Sequence, residues 1–212
     1  WFFSFQDVES ARKVLPENSK YWLSLNGDWK FNWAPDPDSR PKDFYQTTFD
    51  VSGWDNIPVP SSWNIYGIQK DGSLKYGVPI YVNQPVIFMH KVKVDDWRGG
   101  VMRTPPTNWT TYKDRNEVGS FRRDFDIPQD WDGREVFIDG VDSFFYLWIN
   151  GQYVGFSKNS RNTANFNITP YLQKGKNTVA AEVYRSSDGS FLEAQDMFRL
   201  PGIFRTVALY ST

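Results

Sequence analysis

Residues 144–156 read Phe-Phe-Tyr-Leu-Trp-Ile-Asn-Gly-Gln-Tyr-Val-Gly-Phe, two apolar runs joined by an Asn-Gly pair. An Asn-Gly pair between such runs is a strong signal for a two-residue type I′ turn, because both residues tolerate a positive φ. The first run, Phe144 to Ile149, is apolar at every position, which is typical of a strand with two covered faces. The stretch therefore predicts a β-hairpin whose first strand is central in a sheet.

Alternation of apolar and polar side chains predicts further strands on both sides of the hairpin. Trp29, Phe31 and Trp33 alternate with polar residues, which is the pattern of a strand with one buried face. Other strands are predicted over residues 121–127, 177–184 and 203–210. Many short strands, turn residues between them and no long helical pattern indicate an all-β fold, an antiparallel β-sandwich.

A single sandwich domain accounts for most of the chain, because the sequence shows neither an internal repeat nor an interdomain linker. Residues 1–24 are predicted to be an irregular N-terminal lead, in which Gln6 to Val14 form a short helix that stops before Pro16. The sandwich then takes residues 25–212. Connections rich in Pro, Gly and Asn fall at 34–43, 52–79 and 95–120, and the last is long enough to be functional or mobile.

Composition excludes several classes of function. The chain has 24 Lys and Arg against 25 Asp and Glu, a formal net charge of −1, so it has no general attraction to nucleic acid or to an anionic membrane. No apolar run approaches the ~18 residues of a membrane span. With no cysteine there is no disulfide, thiolate zinc site or cysteine nucleophile. The single histidine, His90, rules out a multi-histidine metal site and is expected to be structural or solvated.

One irregular stretch, residues 187–205, carries the chemistry-bearing side chains. It reads Ser-Asp-Gly-Ser-Phe-Leu-Glu-Ala-Gln-Asp-Met-Phe-Arg-Leu-Pro-Gly-Ile-Phe-Arg, which places acids and arginines among phenylalanines. Such a loop can hold a carboxylate beside apolar surface, where it accepts hydrogen bonds from sugar hydroxyls while aromatic rings cover the C–H faces. Alternatively, Arg199 and Arg205 pair with Asp188, Glu193 or Asp196 in a purely structural corner. The residues alone favour the structural corner and leave the sugar site open.

Motifs in the same stretch and upstream of it carry a resemblance to a known family. They are Leu25-Asn26-Gly27-Asp28-Trp29-Lys30-Phe31, Val59-Pro60-Ser61-Ser62-Trp63, Pro79-Ile80-Tyr81-Val82-Asn83, Gly140-Val141-Asp142-Ser143, Trp148-Ile149-Asn150-Gly151, and the Ser-Asp-Gly-Ser, Gln-Asp-Met and Gly-Ile-Phe-Arg segments of 187–205. Taken in this order, they resemble the N-terminal sugar-binding domain of family 2 β-galactosidases, over roughly Leu25 to Leu209. The resemblance implies a jelly roll of the galactose-binding kind.

A complete active site is not expected in this chain. A retaining glycosidase needs two carboxyl groups about 5 Å apart. Glu193 and Asp196 lie three residues apart on one loop with arginine neighbours that keep both ionised, so they make a poor nucleophile and acid pair. The resemblance places the catalytic glutamates in a following barrel domain, and the Asn116-Glu117 pair falls within the jelly-roll match instead. We therefore predict a non-catalytic fragment of a larger retaining β-galactosidase.

The resemblance assigns one substrate and metal contact to Asp196. In the family, the aspartate of Gln-Asp-Met contacts a galactosyl hydroxyl and ligates sodium, and Asp196 occupies that position. An oxygen ligand suits a hard cation, and the sodium site would be complete only with the missing domain. The fragment itself is expected to need no cofactor, whereas the parent enzyme would use sodium and is compatible with magnesium.

Further sugar contacts are predicted at three other positions. The family residue that precedes a Pro-Pro pair corresponds to Thr104, which is shorter and uncharged, and Asn83 is an alternative for the same contact. Trp109 lies in the long loop and is a candidate sugar platform. Two other tryptophans were considered as sugar platforms. Trp63 remains a candidate, whereas Trp148 is predicted to lie in the core.

The predicted partners follow from the same resemblance. They are a β-galactoside substrate and the catalytic barrel of the parent chain, with no nucleic acid or membrane, and the parent is compatible with a homo-oligomer. A bacterial cytoplasmic or periplasmic location would fit. The alternatives are a freestanding carbohydrate-binding module and the same domain of a β-glucuronidase or β-mannosidase.

Overall fold

The computed structural model describes residues 3–81, 116–132, 134–141, 144–159, 162–191, 193 and 198–212. Within these ranges the chain forms twelve β-strands and two short α-helices. The helices are α1 (Val8–Arg12) and α2 (Trp63–Tyr66). The strands are β1 (Trp22–Ser24), β2 (Gly27–Ala34), β3 (Asp55–Val59), β4 (Ile80–Tyr81), β5 (Val118–Asp126), β6 (Val136–Val141), β7 (Phe144–Ile149), β8 (Gln152–Ser157), β9 (Ala164–Asn167), β10 (Lys176–Tyr184), β11 (Phe198–Arg199) and β12 (Ala208–Ser211).

Ten of these strands form two antiparallel sheets that face each other. The six-stranded sheet has the order β3-β2-β5-β10-β7-β8, and the four-stranded sheet has the order β1-β12-β6-β9. Their inner faces share one apolar core. The predicted antiparallel jelly-roll sandwich is therefore confirmed. Among the described residues, no helix is long and apolar enough to cross a membrane.

The core forms because apolar side chains alternate along the strands. Val179, Ala181 and Val183 on β10 point to one side, and each is fully buried. On β7 the buried positions are Phe145, Leu147 and Ile149. Burying a side chain of this size contributes about 1.5–3 kcal/mol, so a few such rows supply most of the driving force for packing the two sheets. This core holds the loops at the ends of the strands in place.

The hairpin forms as predicted. Asn150 and Gly151 have φ values of 51° and 80°, as a type I′ turn requires, and β7 pairs with β8 on one side and β10 on the other. Trp148, however, was wrongly assigned to the core. It is half-buried on the outer face of the sheet and stacks on Tyr45 with ring centroids 4.9 Å apart. The outer face of β7 is apolar because the loop after β2 covers it, not because a second sheet does.

The N-terminal lead contains the predicted short helix and one strand that was not predicted. Helix α1 begins after Asp7, whose carboxylate accepts a hydrogen bond from Ser10 N at 2.6 Å. Strand β1 pairs with β12, so the sandwich begins at Trp22 and not at Leu25. A three-residue strand is too short to show a periodic pattern, which is why its sequence carried no signal.

Several connections contain more regular structure than the sequence indicated. The segment 52–79 includes β3 and α2, and residues 118–120 of the segment 95–120 belong to β5. Strand β3 contains a proline and lies at a sheet edge, where a residue without an N–H group removes the fewest hydrogen bonds from the sheet. Strands β6 and β9 also escaped prediction, and the last strand covers only Ala208–Ser211 instead of 203–210.

Candidate functional site

A cleft of about 250 Å³ opens where β8 and β10 end and β7 begins. The chemistry-bearing stretch 187–205 forms much of its wall. Residues Asp188–Phe191 form a 3₁₀ turn, and Phe198–Arg199 form β11, which pairs with β4. Its lining combines phenylalanines with polar and charged residues, and it includes Ser62, Phe144, Lys158, Arg185, Ser186, Glu193, Phe198, Arg199 and Phe204.

A buried ion pair forms the structural base of this cleft. The last pair of the β5–β10 ladder is Val118 with Tyr184, so Glu117 and Arg185 face each other one step beyond it. Arg185 Nη1 donates to Glu117 Oε1 at 2.6 Å, and the two side chains are only 1% and 2% exposed. Burial lowers the pKa of Arg185, and the adjacent Glu117 carboxylate opposes that shift. Arg185 can therefore stay charged inside the protein.

Three further groups complete the hydrogen bonds of this pair. Trp63 Nε1 and Asn64 Nδ2 donate to Glu117 Oε2 at 2.9 and 3.2 Å, and Arg185 Nη2 donates to the carbonyl of Val78 at 2.6 Å. Gly77, with φ +70°, passes so close that an added Cβ would lie 2.1 Å from Glu117 Oε1. Such a site tolerates only glycine. Trp63 is thus a fully buried partner of Glu117 and not a sugar platform.

Three buried polar atoms, on residues that lie beside the cleft, have no hydrogen-bond partner within the described part of the chain. They are Ser62 Oγ, Ser186 Oγ and Arg185 Nε. Ser186 is 2% exposed and Arg185 6% exposed. By contrast, the neighbouring serine hydroxyls hold the loop together, since Ser187 N donates to Ser190 Oγ at 2.9 Å and Gly189 N to Ser187 Oγ at 3.2 Å.

The residues predicted to contact substrate fall outside the described residues. These are Asp196, Thr104, Asn83 and Trp109, and the same holds for His90. Within the described ranges, no three Asp, Glu or His side chains come together as a metal site. The sodium contact through Asp196 therefore stays a prediction. Sequence reasoning missed Arg185 as the buried partner of Glu117, although a charged residue directly after the buried strand β10 was a usable signal for it.

The arginines of the stretch were predicted to be structural. Arg199 Nη2 donates to the carbonyl of Ser190 at 3.0 Å, which ties β11 to the 3₁₀ turn. The predicted pairing of these arginines with Asp188, Glu193 or Asp196 stays a prediction. Arg205 is exposed. Glu117, considered at first only as half of an Asn-Glu pair, is a buried partner of Arg185 and cannot serve as an acid–base catalyst from that position.

Two facing antiparallel sheets with a shared apolar core and a cleft at one end of their strands define a jelly-roll sandwich domain. Residues 22–212 match the family described as glycosyl hydrolases family 2, sugar binding domain. The chain therefore belongs to that family as a sugar-binding domain.

Sequence relatives are β-galactosidases of bacteria. The chain is 42% identical to the β-galactosidase of Priestia megaterium over 210 residues and 41% identical to that of Halalkalibacterium halodurans over 209 residues. It is 39% identical over 211 residues to the β-galactosidase of Yersinia pestis strain Angola. Each alignment covers 98% of this chain but only 17–18% of the relative, so the chain spans less than a fifth of those proteins.

Solved structures with the same fold include β-glucuronidases. The Bacteroides uniformis β-glucuronidase superposes with a TM-score of 0.58 at 21% identity, covering 90% of this chain and 18% of that one. An uncultured Clostridium β-glucuronidase superposes with a TM-score of 0.60 at 17% identity, covering 90% and 29%. At this level of identity the similarity shows the fold alone.

Proposed function

We propose that this chain is the non-catalytic, sugar-binding N-terminal domain of a retaining β-galactosidase. The parent protein hydrolyses terminal β-D-galactosides through a glycosyl-enzyme intermediate, and its catalytic carboxylates lie in a following barrel domain. The observation that carries the proposal is the 42% identity to a β-galactosidase over 98% of the chain. The β-glucuronidases are less than 25% identical and so support the fold without supporting that specificity.

The proposal gives the stretch 187–205 a role in the active site of the parent. Asp196 accepts a hydrogen bond from a galactosyl hydroxyl and contributes one oxygen ligand to a sodium ion. The buried pair of Glu117 and Arg185 and the link from Arg199 to Ser190 support this role, because they fix both flanks of the segment that carries Asp196. A charged acceptor held in place discriminates between hydroxyl configurations better than a mobile one.

Substrate specificity tests the proposal directly. The full-length protein that contains this chain should hydrolyse a chromogenic β-galactoside with retained anomeric configuration, and much faster than the matching β-glucuronide or β-mannoside. The product anomer is read by NMR before mutarotation. Faster turnover of the glucuronide or mannoside would assign the domain to another family 2 enzyme.

The 212-residue chain alone should not hydrolyse β-galactosides. The proposal gives it one sugar-facing carboxylate and no second carboxylate at catalytic distance. The measurement is an assay of the purified chain with a chromogenic β-galactoside, beside the variants Asp196→Asn and Glu193→Gln. Turnover that either variant abolishes would contradict the proposal, whereas turnover that both variants retain would come from a contaminating enzyme.

Galactose should bind the isolated chain with millimolar affinity or more weakly. Most walls of the proposed active site belong to the barrel, and water satisfies hydroxyl groups in an open half-site nearly as well as the protein does. Millimolar binding corresponds to roughly −4 kcal/mol. The measurement is isothermal titration calorimetry of the purified chain. Micromolar binding would instead support a freestanding carbohydrate-binding module.

A further inference from the structure

We propose that the outer face of strands β7 and β8 binds the part of an extended β-galactoside that lies beyond its terminal galactose. This surface, the aromatic platform, is formed by Tyr146 on β7 and by Tyr153 and Phe156 on β8. The proposal rests on the proposed function for the kind of ligand, and it adds a contact surface outside the segment that carries Asp196. It names neutral galacto-oligosaccharides as the substrate class.

The rings of the aromatic platform are packed together but remain accessible. The ring centroid of Tyr146 lies 6.3 Å from that of Tyr153 and 6.1 Å from that of Phe156, with interplanar angles of 53° and 52°. Tyr153 and Phe156 are 50% and 51% exposed, whereas the ring of the neighbouring Trp148 stacks against Tyr45. An exposed ring that its neighbours hold in place offers its face to a ligand at little ordering cost.

The aromatic platform is continuous with the cleft. Phe144 lines the cleft, and its ring centroid lies 5.2 Å from that of Tyr146. Under the proposed function, the stretch 187–205 at this cleft contacts the terminal galactose, so a longer substrate reaches the platform past Phe144. The charged residues of the cleft lining lie at this end: Lys158, Glu193 and Arg199.

The aromatic platform itself is neutral. Residues 144–157, which span β7 and β8, contain no charged side chain. Tyr146 is the cross-strand neighbour of Glu182, but this buried carboxylate pairs with Arg40 at 3.1 Å and accepts a hydrogen bond from the hydroxyl of Tyr184 at 2.6 Å. A neutral surface whose tyrosine hydroxyls both donate and accept suits a neutral sugar chain better than a charged one.

Composition favours a sugar chain over another protein as the occupant. The exposed large apolar side chains within residues 144–157 are both aromatic, whereas those around α2 are mostly aliphatic and include Ile65, Ile68 and Leu74. A flat ring covers the C–H face of a pyranose, which a branched aliphatic side chain does poorly. The chain also belongs to a family of sugar-binding domains. The aromatic platform therefore fits a glycan better than it fits a protein surface.

The test compares a long and a short substrate of the full-length protein. A β-linked galactotetraose has three units after its terminal galactose, whereas the matching galactobiose has one. We expect Tyr153→Ser and Phe156→Ser each to raise KM for the tetraose about 3- to 10-fold, because each removes one stacking ring. KM for the biose and kcat for both substrates should keep their wild-type values, since the contacts of the terminal galactose are intact.

Two further variants make the test specific for a flat ring on β8. Tyr66→Ser is the matched control, because Tyr66 is a tyrosine of similar exposure, 48% against 50% for Tyr153, but lies on α2. This control should leave KM for both substrates unchanged. Tyr153→Trp keeps an aromatic ring at the same position and should keep KM for the tetraose near the wild-type value.

Any of three results would overturn the proposal, with Tm and sedimentation velocity recorded for each variant. One is an unchanged KM for the tetraose in both serine variants. Another is an equal rise in KM for the tetraose and the biose, which would place the effect in the site of the terminal galactose or in the fold. The third is an unchanged KM with a lowered Tm or an altered oligomeric state, which would assign the face to contact with the rest of the protein or with a second copy.

Failure of the proposed function has a different signature. If the full-length protein does not hydrolyse β-galactosides, calorimetry measures its binding of the intact galactotetraose. Weaker binding in Tyr153→Ser than in the wild type would then retain the aromatic platform and reject the β-galactosidase assignment. Hydrolysis of both substrates with wild-type KM values in both serine variants would reject the platform alone.

Discussion

Replacing Glu117 with glutamine is expected to destabilise the chain by about 3–5 kcal/mol, because it leaves the guanidinium of Arg185 buried without a counter-charge. The side chains of both residues are almost fully buried, and glutamine has nearly the shape of glutamate, so the loss of charge dominates. At about 2–4 °C per kcal/mol for a domain of this size, the Tm should fall by about 6–20 °C. Thermal unfolding of the purified chain, followed by circular dichroism, measures the effect.

Two companion variants separate charge from packing. Asp130→Asn breaks the exposed pair with Lys20, whose atoms lie 3.5 Å apart and whose side chains are about half exposed, so its cost should stay below about 1 kcal/mol. The double variant Glu117→Gln with Arg185→Met removes both charges and should recover part of the loss. A double variant that is less stable than Glu117→Gln would show that hydrogen bonds, and not the unpaired charge, dominate this site.

Changing Asp196 to asparagine in the full-length protein should lower kcat/KM about 10- to 100-fold. The substitution keeps the shape but removes the charge that strengthens the hydroxyl contact and the proposed sodium site. Hydrogen bonds to charged groups contribute about 1.5–3 kcal/mol, which gives this range, and loss of the cation would enlarge it. The Tm should change little, because a ligand-facing carboxylate is not a partner that holds the fold.

The measurement pairs kinetics with thermal unfolding for Asp196→Asn. Asp126→Asn serves as the control, since Asp126 is an exposed acid at the end of β5, and it should leave both quantities unchanged. Unchanged kinetics together with a large fall in Tm would mean that Asp196 belongs to a structural salt-bridge corner. That was the interpretation which the residues alone favoured.

The kinetic prediction for Asp196 and the stability prediction for Glu117 concern the same end of the sandwich. Glu117 and Arg185 follow directly from the β5–β10 ladder, and the stretch 187–205 begins two residues beyond Arg185. A weakened ion pair should therefore also loosen the segment that carries Asp196. Activity of the full-length Glu117→Gln variant should fall as temperature rises, before global unfolding.

Local patterns in the sequence were sufficient to predict the longer strands and the hairpin. Side chains of a strand alternate between two faces, so Trp29 and Phe31 revealed β2, and Val179 to Val183 revealed β10. The Asn150-Gly151 turn was equally local, because it depends on the φ preferences of two residues. Short strands such as β1 and β9 offered too few residues for any period to appear.

The candidate site could be predicted from the sequence only in part. The family motifs located the stretch 187–205, but the groups that line its cleft come from distant parts of the chain. Glu117 and Arg185 are 68 positions apart and meet only because the register of β5 with β10 places them opposite each other. Ser62 reaches the same cleft from the segment after β3.

By itself, the sequence of this protein determined an all-β sandwich, its main hairpin and its resemblance to a sugar-binding domain. These properties depend on residues that are neighbours along the chain, where propensity and alternation act directly. Only the tertiary structure decided that Trp63 is buried, that Trp148 lies on an outer face and that Arg185 is neutralised by Glu117. Each of these depends on strand register and on which face a loop covers, and both are fixed by packing between segments that are distant in sequence.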